Sequence, residues 1–417
     1  MPATKSSYAR LMAMCALSAQ RQEKGAVLSQ RAVPTDATVA LAIYRKEVID
    51  ALPLDFENAV EHSDLQAAGL TCLAAMESGD MELFHRLLGW YHAALARHKL
   101  ADESCWPANI SNVEREERRR LHWYMYRLEV HSALVLGHVV RCPELQCLVS
   151  YPTLPDQSHD EAEWLSGWNF VTDLYRGIEH LLTLFKARRM VSTQQGRKLN
   201  TDFRLDYRPE DHVLKPLAAA LDELPTRFKH AEACSGLGAR NRCGFQAANI
   251  ICTYQLLRVV SFTASDNTFH DACLTVMALI EEISTIPIDI MRAMSLGMLQ
   301  ELAGFGHLLS CFIKRGLSRP DYQHLRTALS CMLELLDALA SSIDSAAEAG
   351  ERLRTYISAI DKHLGSIPAP TTAGIDHANT SAWLADTSIE DWLPPEMHEI
   401  PWPSEWSDQF FNSLNDV

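Results

Sequence analysis

Apolar positions recur at three- and four-residue spacing over most of the chain. From Leu121 they run through Tyr124, Met125, Leu128, Val135, Leu136 and Val139, the stripe expected of an amphipathic helix. Sustained apolar–polar alternation bounded by turn residues does not occur, so no significant sheet is predicted. Gly79-Asp80 reads as a helix stop followed at once by an N-cap, which makes a helical hairpin of the flanking segments. Pro34-Thr35-Asp36 opens another helix, and Ile286-Pro287 separates two strongly apolar ones, because proline ends the preceding helix and is tolerated in the first turn of the next. The pattern predicts helices at about 6–22, 36–52, 64–78, 81–98, 112–139, 160–188, 211–223, 244–263, 268–284, 288–314, 320–342 and 345–364. The expected fold is all-α, a large irregular bundle of about twelve or more helices. No fixed-period repeat appears, which argues against a regular solenoid. Residues 190–210 are polar and read as a loop. Ser366-Ile367-Pro368-Ala369-Pro370-Thr371-Thr372 reads as a linker. The expected organisation is a helical region over 1–365 and a distinct C-terminal tail over 366–417.

Composition narrows the class. Apolar residues make up 47% of the 417 and charged residues 22%, ordinary globular usage. A formal net charge of −15 argues against gripping nucleic acid through the overall field, since phosphate neutralisation needs Lys and Arg. The eleven cysteines run from Cys15 to Cys331, mostly inside apolar helical patterns. They suit reduced thiols in a cytosolic or nuclear setting better than a disulfide framework. No apolar run reaches the roughly 18–20 residues of a membrane span. Lys5 and Arg10 ahead of Leu11–Leu17 have some character of a targeting segment, but the stretch reads equally well as a first amphipathic helix.

The most specific local pattern is Ser111-Asn112-Val113-Glu114-Arg115-Glu116-Glu117-Arg118-Arg119-Arg120-Leu121-His122-Trp123. Ser111 and Glu114 have capping-box spacing, and acids in the first turns suit the helix dipole. Glu114–Arg118 and Glu116–Arg120 have i,i+4 spacing, pairs that contribute about 0.3–0.5 kcal/mol each. By pattern alone this is a well-started helix with a solvated charged flank. The run continues through Tyr124, Tyr126 and Glu129 to Ser132 and Leu136-Gly137, then Leu154-Pro155-Asp156. In that order it resembles the fungal-specific transcription-factor domain, the middle homology region of zinc-cluster activators. Leu11–Ala19, Leu221-Asp222-Glu223-Leu224-Pro225 and Phe245–Arg258 resemble further parts of that domain, so the likeness covers about residues 8–364. The chain departs from the family in having His138-Val139 after the Leu-Gly step, and Glu129 where the family has Asp. The resemblance implies an architectural role for Glu117, Arg119 and Arg120, which would brace neighbouring helices by charge-assisted hydrogen bonds, with Trp123 packed beneath them.

A zinc cluster needs six closely arrayed cysteines, and this chain has no such array. The nearest pairing, Cys142-Pro143-Glu144-Leu145-Gln146-Cys147, has no second pair nearby, and structural zinc needs four ligands. Cys234 and Cys243 beside Ser235-Gly236-Leu237-Gly238 are equally unsupported. The chain begins about where the family's middle region begins, so the DNA-binding module is expected to be missing from it. G-x-S-x-G, H-E-x-x-H, P-loop and G-x-G-x-x-G patterns are absent. His92 with His98, and His131 with His138, lack the carboxylate spacing of a metal site. No enzyme activity, catalytic residue, cofactor or metal is expected.

The tail has a different character. Nine acids fall between Thr371 and Val417, and no Lys or Arg follows Lys362. The tail thus carries −9, leaving −6 for the other 370 residues. It also holds Trp383, Trp392, Trp402, Trp406, Phe410 and Phe411. Acids interleaved with bulky hydrophobes match amphipathic activation segments, in which charge keeps aromatics available to a coactivator groove. The same aromatics could instead latch onto the helical body. The expectation is a nuclear transcription regulator that acts through protein partners and reaches DNA only indirectly. Its partners would be a coactivator and a homo- or heterodimeric mate carrying a DNA-binding module, with no membrane contact. Control of a metabolic or biosynthetic gene cluster is the finer expectation. The competing one is a helical scaffold serving as an enzyme or small-molecule binder in a specialised pathway, motivated by apolar residues 268–342.

Overall fold

The computed structural model describes residues 4–23, 37–54, 60–78, 80–136, 138–153, 159–193, 210–233, 238–263, 269–294 and 319–340, with scattered helical positions between 347 and 362. It is all-α. The helices are α1 (Lys5–Glu23), α2 (Ala37–Ala51), α3 (His62–Ser78), α4 (Met81–Arg97), α5 (Asn112–Leu136), α6 (His159–Thr193), α7 (Lys215–Glu223), α8 (Gly238–Thr263), α9 (Phe269–Ser284), α10 (Ile288–Met294) and α11 (Arg319–Ala340). Among the described residues no strand forms, and extended pairing is limited to an isolated parallel bridge between Asp102 and Leu148.

Local chemistry sets the boundaries. Asp80 caps α4, its carboxylate accepting from the Leu83 amide at 3.1 Å. Ser111 Oγ accepts from the Glu114 amide at 3.1 Å and starts α5, each satisfying an amide that the first turn leaves without a partner. A five-residue π-turn, Glu210–Leu214, leads into α7 with Pro216 in its first turn. Some boundaries differ from the pattern's prediction. Helix α5 ends at Leu136, short of 139, and His138 and Val139 already lie in the non-helical segment that follows. Helix α6 runs on to Thr193, because nothing in Lys186–Met190 breaks a helix. Helix α8 starts at Gly238, earlier than its apolar stripe. The expected helix over 288–314 is described only to Met294, and residues 194–209, the linker and the whole tail lie outside the described residues.

Among the described residues three large apolar clusters follow one another, beside a small one of Ala16, Ala19 and Leu41 between α1 and α2. The first joins α1 to α5 through small and large partners such as Ala9, Ala13, Ala68, Phe84, Leu87 and Met125. The second joins α5, α6 and α8 through Trp123, Tyr126, Leu174, Ile178, Phe228 and Leu257. The third joins α8 to α11 through Cys252, Val276, Ile283, Leu325 and Leu336. Helices α5 and α8 each serve two clusters from opposite faces, so they are apolar on more than one side. At Gly69 a side chain would meet Leu121 Cδ1 at 3.0 Å and Met125 Sδ at 3.1 Å, so α3 approaches α5 closely there.

Candidate functional site

A dense polar network lies where residues 138–153 turn back along α5. This segment, the strap, runs antiparallel to the helix. Side chains spaced three or four apart on one face of α5 meet it in succession. Ser132 Oγ stands 2.7 Å from His138 Nε2. Glu129 accepts from the Arg141 amide at 2.8 Å and from its guanidinium at 2.9 Å and 2.6 Å. Trp123 Nε1 donates to the Ser150 carbonyl at 3.0 Å. Glu116 accepts from the Thr153 amide at 2.6 Å. Midway, Tyr126 Oη donates at 2.6 Å to Glu179 of α6, whose same oxygen accepts from the Glu144 amide at 3.1 Å.

The strap's other edge is held as well. The Leu148 amide donates to the Ala101 carbonyl at 2.7 Å, and the Glu103 amide donates to the Leu148 carbonyl at 3.2 Å. Arg119 grips Glu103 with two nitrogens at 2.8 Å and 2.7 Å and Glu116 with a third at 2.7 Å. Glu103 in turn accepts from the Ser150 amide at 2.7 Å. From α6, Arg176 reaches Glu144, and Asp173 accepts from Tyr151 Oη at 2.6 Å. Four strap amides, those of Arg141, Glu144, Ser150 and Thr153, thus donate to carboxylates. Such charge-assisted bonds are shorter and stronger than neutral ones.

The electrostatics follow from burial opposed by these partners. Burial pushes the Glu129 carboxyl up, but His92 and Arg141 outweigh it and hold it well below the usual carboxylate range. Its side chain has 0% exposure, and His92 Nε2 stands 3.2 Å from it. Burial lowers His92, yet Cys142 and Glu129 together raise it above its ordinary value. Burial drives His122 down to about 4, and both its ring nitrogens are buried without a hydrogen-bond partner. Burial opposes the Glu103 charge too, and Arg119 and Ser150 reverse that. Arg127, buried and drawn down to about 10, places its guanidinium carbon 4.2 Å from the Trp168 ring centroid, a cation–π contact.

The residues expected to brace the fold divide between two faces. Arg119 and Trp123 belong to the clasp on the strap, and Trp123 is buried. Glu117 turns towards α3, where Gln66 Nε2 lies 3.4 Å away and His62 Nε2 3.8 Å. Arg120 Nε is buried without a hydrogen-bond partner. The strongest bracing therefore runs from helix to strap, whereas the resemblance implies helix to helix. Glu114 pairs with Arg118 at 2.7 Å. Glu116, expected opposite Arg120, is instead taken by Arg119 and Thr153, because an i,i+3 partner and a strap amide both reach it. Trp383, Trp392, Trp402, Trp406, Phe410 and Phe411 lie outside the described residues. Sequence reasoning missed Glu103, Arg141, Glu144 and Glu179, and it assigned Glu129 no bracing role. The acceptors and the strap are far apart in sequence, and no local spacing links them.

Two features remain outside the clasp. A groove of about 590 Å³ runs between α6 and the start of α7, lined by Asp173, Arg176, Gly177, His180, His212, Val213, Pro216 and Leu217. In the strap, the Cys142 and Cys147 sulfurs lie 3.3 Å apart. Among the described residues no group of three or more His, Cys, Asp or Glu is arranged to hold a metal ion, and no helix is long and apolar enough to cross a membrane. No protein-family model, curated protein or solved structure matches the chain.

Proposed function

We propose that this chain is a transcription regulator of the fungal zinc-cluster type, acting in the nucleus through protein partners and meeting DNA only through them. The observation that carries the reading is the use made of the acid–arginine–tryptophan run on α5. Arg119 and Trp123, two of the four residues for which the resemblance implies an architectural role, hold the strap, and Glu116 between them does the same. The tail adds support from composition, with nine acids and four tryptophans on a segment free of Lys and Arg, a pattern suited to docking in a coactivator groove on folding. Fusing residues 371–417 to an unrelated DNA-binding domain and assaying a reporter tests it. Activation that disappears when Trp392, Trp402 and Trp406 become alanine is the expected result. Silence from the tail fusion, with a fusion of the helical body also silent, refutes the activator reading. Association with a DNA-bearing mate and control of a biosynthetic gene cluster belong to the same proposal.

The groove between α6 and α7 favours a second reading, a helical body that binds a small anionic molecule. Arg176, His180 and His212 line it beside Asp173 and apolar Val213 and Leu217, with Arg176 shared between Glu144 and Asp173 and His180 near Glu144. Its test is a ligand-dependent rise in melting temperature that is lost in Arg176→Ala. No rise across a panel of carboxylates and phosphates refutes it.

A further inference from the structure

Cys142 and Cys147 flank a single 3-10 turn, Glu144–Gln146, in the middle of the strap. The Gln146 amide donates to the Pro143 carbonyl and the Cys147 amide to the Glu144 carbonyl, each at 3.0 Å. The turn therefore fixes both thiols on one side of the backbone. Their sulfurs stand 3.3 Å apart, and Cys147 Sγ also lies 3.3 Å from the Pro143 carbonyl oxygen. An S–S bond is about 2.05 Å long, so closure needs a movement of about 1.2 Å, within the reach of two side-chain rotations. Neither thiol is fully buried, unlike Cys72, Cys252 and Cys273.

We propose that Cys142 and Cys147 are a redox-active dithiol that hydroperoxides convert to an intramolecular disulfide. The surroundings separate the roles of the two sulfurs. The hydrogen bond shared by the two sulfurs and the neighbouring His92 hold Cys142 low, while that same hydrogen bond and burial push Cys147 up. Cys142 is thus the thiolate that attacks. Its sulfur takes the terminal oxygen of hydrogen peroxide, the O–O bond breaks, and hydroxide leaves with the electron pair and takes up a proton. The resulting sulfenic acid is attacked by the Cys147 sulfur, which loses its proton. The S–S bond forms, and the sulfenic oxygen departs as a second water. Two thiols and one peroxide give one disulfide and two waters.

The low position of Cys142 does not by itself make it fast. A lower pKa raises the thiolate fraction but weakens each thiolate as a nucleophile in roughly compensating measure. What distinguishes the pair is the product. A resolving sulfur already in contact has a very high effective concentration, so the sulfenic acid is captured before a second oxidation. The disulfide would lock the turn that carries Leu145, whose side chain stands 80% exposed between the two cysteines. This inference does not depend on the transcriptional reading.

The test treats the reduced full chain with a small excess of hydrogen peroxide, alkylates it and digests it with trypsin, which cuts after Arg141. The peptide beginning at Cys142 contains both sulfurs. The expected result is a peptide that carries neither alkyl group and is two hydrogens lighter than its free dithiol, reversed by a dithiol reductant, while exposed Cys105 gives no intramolecular disulfide. Cys147→Ser should leave a sulfenic acid at Cys142 that a 1,3-dione traps, and Cys142→Ser should leave Cys147 no more reactive than Cys105. Helicity by circular dichroism checks that both variants fold. Two alkylated cysteines after peroxide in the native chain, or sulfinic acid without disulfide, overturns the proposal.

Discussion

Arg141→Ala should be the most damaging single change in the clasp. Glu129 has no exposed surface and takes three of its hydrogen bonds from Arg141, two of them from the guanidinium. Truncation keeps the amide bond and leaves a buried carboxylate facing only that amide and His92. Breaking a buried ion pair from one side costs about 3–5 kcal/mol. The surviving amide and a charged His92 place the expected cost near the lower end, about 3 kcal/mol, or a hundredfold or more in the folded ratio. Glu129→Gln should cost less, about 1–2 kcal/mol, because the Arg141 side chain is 32% exposed and its charge can return to water. The pair Glu129→Gln with Arg141→Ala should cost less than the two singles added together. The pH dependence has a definite sign. The folded carboxyl lies below its ordinary value of 4.5, so its contribution is complete above that value and is lost as pH falls through the lower folded one. The gap between native chain and Arg141→Ala should therefore be full at neutral pH and narrow below about pH 4. Urea denaturation followed by circular dichroism at both pH values measures it. A cost under about 1 kcal/mol, or a gap that widens in acid, refutes the reasoning.

Other expectations follow from the same geometry. Tyr126→Phe removes a 2.6 Å donor from buried Glu179 and should cost about 1–3 kcal/mol, read by chemical denaturation. Leu174→Ala empties a fully buried position in the cluster between α5, α6 and α8 and should cost about 2–5 kcal/mol. Asp80→Ala deletes the α4 cap and should lower stability by about 1 kcal/mol, with Asp80→Asn recovering most of it. Amides of Arg141, Glu144, Ser150 and Thr153 should be protected from hydrogen exchange although they lie outside the α-helices. Protection at Ser150 should drop in Glu103→Gln, because Glu103 is its acceptor.

The helical architecture was legible because it rests on local signals. Three- and four-residue spacing, Asp80 as a cap and Ser111 at the start of α5 predict elements that the structure contains. The strap was not legible because its order comes from partners that no periodicity links. Glu129 and Arg141 are twelve residues apart, Glu116 and Thr153 thirty-seven, and Glu103 and Ser150 forty-seven. A sequence pattern sees the charged run on α5 as a solvated flank, and Glu114 with Arg118 fits that picture. It cannot see that Arg119 faces Glu103, since that contact depends on how a second 3-10 turn, Glu103–Cys105, packs. The cysteine pair was visible as spacing alone. Only the turn Glu144–Gln146 shows that five positions of separation bring two sulfurs into contact.

The four strap amides bound by carboxylates carry an implication for variation among sequences of this kind. A main-chain N–H is supplied by every residue type except proline, so these four holds do not depend on the side chains that the strap carries there. The strap can change composition at Glu144, Ser150 and Thr153 and keep those holds, whereas Glu103, Glu116, Glu129 and Glu179 have no such freedom. Selection on this part of the molecule should therefore fall on residues that look like ordinary helix and turn acids, and proline should be the residue that the strap tolerates least at those four positions.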